Sequence, residues 1–528
     1  MSIEYTASMS MRGEWRLPRA SFIAALAWAG ATFAASDRPT DDWTQGSWLT
    51  PQAAQVMDIL RNADAYGLQP SDYPLPIAGA DPGARSQFDK ALSQTVARFI
   101  SDLHYGRIGP RSAGFHLPAA RQDLNLPAAL RRVMSSTDVD STLATFEPAP
   151  APYARLKAAL TRYRSLAQQP SLTHLPPLPR RSLQQGDEYA GAPALRRLLT
   201  AVGDLRSADA GADPSRSTID APLADAVRKF QQRHGLDVDG VIGPATFAEL
   251  STPLDARVRQ IALAMERWRW LAALDRPNIA VNIPQSTLLV LPERADKGVA
   301  PLEMRVIVGQ TYPHTRTPIF ASSITQVVFQ PYWDVPSGIL ERELLQPIRR
   351  NPAYLAKHDL EIVEGQGDDA RVVDPTPAAV DALAGGALRL RQRPGPTNAL
   401  GPIKFVMRNP FNVYLHATPQ RELFERSRRT FSHGCIRVSE PAALAAYVLQ
   451  HAPGDWSAAA IAAALQGSET LRVTLTEPVH VVVFYSTSVV TASGTVLFFE
   501  DVYGHDRELQ KMLDAALMPV REQRVPAA

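Results

Sequence analysis

The stretch Arg429–Pro441, RTFSHGCIRVSEP, holds the only cysteine of the 528-residue chain, Cys435. A histidine stands two positions before it, with a glycine between. Read as an extended segment, its side chains alternate, so His433, Cys435 and Arg437 share one face. Ser432, Gly434 and Ile436 take the other. Gly434 removes a side chain where another backbone or a substrate has to come close. A thiol beside a guanidinium and an imidazole is expected to shift toward thiolate, its nucleophilic form. Backbone N–H groups around it are candidate donors to a developing oxyanion. A lone cysteine is otherwise only a small hydrophobe, and its neighbours are what single it out.

Such a thiol needs a proton carrier. NPFNVYLHATP, residues 409–419, offers one, with Asn412, Tyr414 and His416 on one face of a strand. His416 falls at the strand's end, before Thr418 and Pro419, where a side chain is placed to reach a site.

The bulk numbers narrow the field. Lysine and arginine number 55 against 53 acidic residues, a net charge of +2. That leaves no electrostatic case for nucleic acid, which needs a basic face to displace counterions. With one cysteine, no HExxH and no Cys or His pair at zinc spacing, no metal site is expected, and no cofactor. Arg12, Arg16 and Arg19 precede the apolar run Ala20–Ala34, and a polar, acidic stretch follows. This is the layout of a secretory signal, cleaved or retained as an N-terminal anchor over 1–36. The run is short of the ~20 residues that span a bilayer. Export sharpens the question of Cys435, because stabilising cysteines in an oxidising compartment come in pairs.

Along the chain, residues 37–185 read as a helical domain. Val56, Ile59, Leu60 and Ala63 recur at helical spacing, as do Leu92, Val96, Phe99, Ile100 and Leu103. His104, His116 and His174 are scattered and read as structural or exposed. The Pro-rich segment 170–191 reads as a linker. Residues 190–252 read as a compact three-helix unit with tight turns at Asp239–Gly240 and Gly243–Pro244. Its expected core is Val227, Phe230, Leu236, Val238, Ile242, Phe247 and Leu250. From 255 a helix leads into β-branched strands, and helix-like, charged sequence interrupts them over about 337–390. An insertion of that length tends to be a lid near a site. After the cysteine segment comes a helix with Ser439 as expected N-cap. Two further strands and a short helix complete 476–528. The fold class is therefore multidomain α+β: helical scaffold, small three-helix domain, and β-rich domain with an inserted helical cap.

Two resemblances follow from these residues. AVRKFQQRHGLDVDGVIGPATFAEL is similar to the three-helix peptidoglycan-binding domain. His416, fifteen residues, then SHGCIR resembles the catalytic motif of the YkuD-type L,D-transpeptidases. LAMERWRWL, VNIPQSTLLVL, MRVIVGQTYPHTRTPIF, PYWDVPSGIL and the 389–419 segment resemble the large periplasmic branch of that family. One departure is Gln330 in FQPYW, where asparagine is expected.

The resemblance implies Cys435 as nucleophile and His416 as general base and acid, oriented by the Ala417 carbonyl. It implies His433, Gly434 and Arg437 at the oxyanion and substrate sites, with Ser432, Tyr414, Trp333 and Asn398 binding substrate. The catalytic domain would span 255–475. The implied reaction is a 3→3 peptidoglycan cross-link made through a cysteine thioester, with D-alanine released from a tetrapeptide stem. Donor and acceptor stems of peptidoglycan, and other cell-wall synthesis proteins, are the implied partners. The implied location is the periplasm, with membrane contact only through an uncleaved leader. An L,D-carboxypeptidase or exchange enzyme on the same stems, and a silent wall-binding scaffold, remain the alternatives.

Overall fold

The computed structural model describes residues 42–45, 48–79, 81–118, 123–206, 216–272, 274, 277–291 and 302–516. The leader expected over 1–36 lies outside them.

The N-terminal helices form where the apolar spacing and their caps coincide. Thr50 caps Pro51–Arg61 and Asp81 caps Pro82–Tyr105, each accepting from a backbone N–H and each followed by a proline in the first turn. Their apolar stripes, Val56 and Leu60 against Leu92, Val96, Phe99 and Leu103, make one buried cluster. The segment expected as a linker is not a free one. Leu172, Leu183 and Tyr189 are buried, and Leu183 forms an antiparallel bridge with Ile242.

The three-helix unit comprises Ala192–Val202, Ala221–Arg233 and Pro244–Leu250. Gln231 organises its turn. Its amide nitrogen reaches Asp239 Oδ1 at 2.8 Å and the Val241 carbonyl at 3.0 Å, and its Oε1 accepts from Gly240 N–H at 2.8 Å. Val227, Phe230, Ile242 and Leu250 are buried as expected, but Val238 is 54% exposed. It sits in the turn that Gln231 holds, outside the helix interfaces. The core is shared with Tyr153, Leu156, Met265 and Phe498 from other elements.

Helix α1, Leu254–Leu271, joins the parts. Its Glu266 accepts from the backbone N–H groups of Arg107 and Ile108, at 2.5 and 2.9 Å, and pairs with Arg269. Arg267 pairs with Asp506 at 2.5 Å. Removing one partner of so buried a pair costs about 3–5 kcal/mol.

Among the described residues nine strands form one sheet. They are β1 Ile279–Asn282, β2 Thr287–Val290, β3 Glu303–Gly309, β4 Phe320–Phe329, β5 Ile403–Met407, β6 Leu415–His416, β7 Thr430–Ser432, β8 Ile436–Val438 and β9 Leu471–Phe484. The order is β7-β3-β8-β6-β5-β4-β9-β1-β2, and β2 also pairs with β3, closing a barrel. Its interior is filled by Val281, Leu288, Val306, Val308, Ile324, Val327, Phe405, Leu415 and Ile436. The scaffold helps fill it: His116 bridges to Phe320, and Phe115 and Leu117 join the core. β9 is one strand of 14 residues that runs through the expected boundary at 475, and the region beyond it holds two further strands, Ser488–Val490 and Val496–Phe498, paired antiparallel. Pro478 is tolerated because the ladder with β4 shifts register between Thr474 and Val479.

The insertion after β4 folds as a subdomain with its own core of Leu340, Ile348, Leu355, Ile362, Leu383 and Leu390. Beyond the expected helices it carries a four-stranded antiparallel sheet, which includes Trp333–Asp334 and Arg389–Gln392. Arg472 on β9 grips Asp368 of the insertion through two bonds of 2.8 and 2.6 Å.

The packing carries an acid-stability prediction. His505 lies against Tyr485 and Phe115, and burial, then Arg267, lowers its pKa to about 4. The unfolded chain binds that proton near pH 6.5, so this stability is complete above about 6.5 and lost as pH falls toward 4. The contribution is on the order of 3 kcal/mol. Melting temperature should therefore fall between about pH 6.5 and 4, and His505→Gln should flatten that limb. Equal slopes for both proteins would refute this.

Candidate active site

The segment read as one strand is broken. β7 ends at Ser432 and β8 begins at Ile436, with Gly434 at φ +116° between them. β7 runs parallel to β3 along one edge, and β8 returns antiparallel along the other. Residues 433–435 therefore arch over the end of β3. The strand is interrupted there, yet burial still alternates across 432–437: Ser432, Gly434 and Ile436 are buried, and His433, Cys435 and Arg437 are more exposed. Gly434 is required at the crown, since few other residues adopt that φ.

The arch is clamped from within. Ser432 Oγ accepts from Gly434 N–H at 3.1 Å and donates to the Cys435 carbonyl. Ser432 is 2% exposed, so it shapes the arch from beneath, where substrate contact was expected. Asn398 is likewise fully buried. Its amide donates to the carbonyls of Pro331 and Arg393, and its Oδ1 accepts from Leu400 N–H. It holds a loop and has no surface to offer a ligand. Gln330 sits at φ 44°, a conformation that asparagine adopts more readily. Its amide instead bonds to the Leu465 carbonyl at 2.8 Å.

The other expected residues converge. β6 and β8 are parallel neighbours, with His416 opposite Arg437 and Leu415 opposite Ile436. Ile436 N–H bonds to the Tyr414 carbonyl at 3.1 Å, which brings the Tyr414 side chain to the sulfur. The Trp333 side chain, from the root of the insertion, lies near the Tyr414 hydroxyl and favours its ionised form. Arg437 Nη1 donates to Gln420 Oε1 at 2.7 Å. His433 is turned up to the cap, its Nε2 lying 2.7 Å from Glu343 Oε1. Glu343 belongs to a π-helical turn, Leu340–Leu344, of the kind often found at functional sites.

The electrostatics differ from expectation. Burial pushes the Cys435 thiol up, and the Tyr414, Lys404 and Arg437 groups that pull it down do not prevail. Burial, then the Arg437 cation, lowers His416 to about 3. Both groups are therefore neutral at physiological pH. The carbonyls of Ala417 and Leu400 face the His416 ring and favour its protonated form, yet among the described residues Nδ1 has no partner at hydrogen-bond geometry. Sγ contacts the Asn412 carbonyl at 3.7 Å, and among the described residues no hydrogen bond joins it to His416.

Lys404, opposite His416 on β5, was not singled out from the sequence. Its ammonium lies 4.0 Å over the Tyr414 ring and has no salt-bridge partner among the described residues. A lysine in an IKFVM strand carries no local signal of that role. No cluster of metal-ligating side chains occurs among the described residues. A cavity of about 2760 Å³ lies between the three-helix unit and the barrel, but neither Cys435 nor His416 lines it.

A thiol and a buried imidazole on adjoining segments, under an insertion, agree with a match found over the same residues. Residues 276–475 match the family model of the L,D-transpeptidase catalytic domain, YkuD. The chain carries an L,D-transpeptidase catalytic domain. Residues 191–250 match the model described as "Putative peptidoglycan binding domain", and residues 42–160 match a scaffold domain. A Haemophilus influenzae protein named "Putative L,D-transpeptidase" is 33% identical over 249 residues, 47% of this chain and 48% of that protein. The Mycobacterium tuberculosis N-acetylmuramoyl-L-alanine amidase CwlM is 40% identical over 82 residues, 14% of this chain and 20% of that protein. The chain thus spans about half, or less, of the curated relatives it matches. The catalytic model ends at 475, whereas the L,D-transpeptidase domain's strand β9 continues to Phe484.

Proposed function

We propose that the protein is a cysteine-dependent L,D-transpeptidase that forms 3→3 peptidoglycan cross-links outside the cytoplasm. The observation that carries this is the placement of His416, buried on the strand that runs beside the arch bearing Cys435. A neutral pair is suited to proton transfer coupled to attack, with no standing thiolate.

When a tetrapeptide stem enters, the Cys435 thiol leaves Asn412 and passes its proton to His416. Catalytic hydrogen bonds are often long in an empty site and tighten with substrate. The sulfur adds to the carbonyl of the third stem residue, diaminopimelate in Gram-negative walls. His416 gives the proton to the departing D-alanine nitrogen, and a thioester remains. The side-chain amine of a second stem attacks it and loses a proton to His416. That proton returns to the sulfur as the amide forms. Cover from the insertion, joined to the arch by His433 and Glu343, would limit hydrolysis of the thioester. The peptidoglycan-binding domain would hold the enzyme on its polymer, alongside other wall-synthesis proteins.

Incubation with tetrapeptide muropeptides tests the reading. Dimers linked 3→3, free D-alanine and a Cys435 acyl adduct in the mass spectrum are expected. Tripeptides without dimers would make it an L,D-carboxypeptidase. No adduct and no product would leave only a wall-binding scaffold.

A further inference from the structure

One peptide group joins Gly434 to Cys435, and the structure holds it from only one end. Its carbonyl accepts from Thr317 Oγ1 at 2.9 Å. Its N–H, that of Cys435, has no hydrogen-bond partner among the described residues. Thr317 is itself pinned. Its Oγ1 accepts from Gly309 N–H at 2.8 Å, and its own N–H donates to Tyr503 Oη at 3.2 Å. Tyr503 Oη donates onward to the Gly309 carbonyl at 2.6 Å. Thr317 and Tyr503 are both buried. Tyr503 is fixed in turn, its N–H donating to Tyr485 Oη at 3.0 Å, and Tyr485 donates to Asp501 at 2.6 Å. Tyr485, Asp501 and Tyr503 all lie beyond residue 475, where the catalytic-domain match stops.

We propose that Thr317 and Tyr503 are positioning residues that aim the Cys435 N–H at the oxyanion of acyl transfer. The segment after residue 475 is then part of the catalytic apparatus. The inference rests on Cys435 being the acyl-accepting nucleophile. Gly434 has no side chain to stop its peptide from turning, so something else has to set the plane. The Thr317 hydroxyl sets it, and by polarising the carbonyl it strengthens the N–H as a donor. A donor already aimed needs no reorganisation when charge develops on the substrate oxygen.

The test uses the full chain and two reactions of the same thiol. Acylation by a carbapenem passes through an oxyanion, and alkylation by iodoacetamide does not. Thr317→Val and Tyr503→Phe should slow acylation about 10- to 100-fold and leave alkylation within about twofold. Thr317→Ser should restore acylation. Tyr503→Phe keeps the ring packing and serves if Thr317→Val folds poorly. Equal slowing of both reactions, or no slowing of acylation in either variant, would overturn the inference alone. No acylation of the unsubstituted protein would overturn the nucleophile reading and this inference with it.

Discussion

Cys435→Ala should abolish cross-link formation, and His416→Gln should slow acylation of Cys435 by about 10²–10⁴-fold, the usual worth of a general base. Glutamine is close to histidine in size, and His416 is already neutral and buried, so melting temperature should change little. A fall in rate without a fall in stability separates proton transfer from packing. The same pair predicts an unusual pH dependence. Burial raises the thiol above its ordinary value, so the thiolate fraction keeps growing through the neutral and mildly alkaline range. Iodoacetamide alkylation of the free enzyme should rise steadily from about pH 6 to 9. A plateau near neutrality would mean that Arg437 and Lys404 outweigh burial after all. His416, held down to about 3, should add no inflection in that window.

Gly309→Ala should be the most damaging glycine substitution near the site. A Cβ there would lie 2.0 Å from the Thr315 carbonyl oxygen, 2.6 Å from Thr317 N and 2.9 Å from Arg316 C. These are backbone atoms and cannot rotate away. The strain costs about 1–3 kcal/mol or more, and it pushes Thr317 off the Gly434 carbonyl. Gly309→Ala should therefore lower both melting temperature and acylation rate. Gly243→Ala, where a Cβ meets nothing within 4 Å, is the control and should be close to neutral. An active, stable Gly309→Ala protein would show that the 315–317 segment can move without disturbing the arch.

Much of the site was legible because its signals are local. Cys435, His433 and Arg437 lie within five residues, and His416 ends a segment whose alternation is plain. The scaffold helices were legible from apolar spacing, and the Gln231-held turn from its Asp-Gly pair. Ser439 was misread as the next helix's cap because Glu440 takes the position, while Ser439 N–H bonds to Arg305 across the sheet.

By itself, then, the sequence determined which groups could react and roughly which segments carry them, since residue chemistry and short-range periodicity are written in consecutive letters. Tertiary structure alone decided how those groups behave. It set the burial that leaves thiol and imidazole both neutral, and the arch that breaks the strand at Gly434. It also sealed Asn398 and Ser432 from solvent and linked Thr317 and Tyr503 to Gly434. Those outcomes depend on contacts across 117 and 194 positions of chain, between Thr317 and Gly434 and between Tyr503 and Gly309. Dielectric environment and long-range contact are properties of packed neighbours, and no window of sequence contains them.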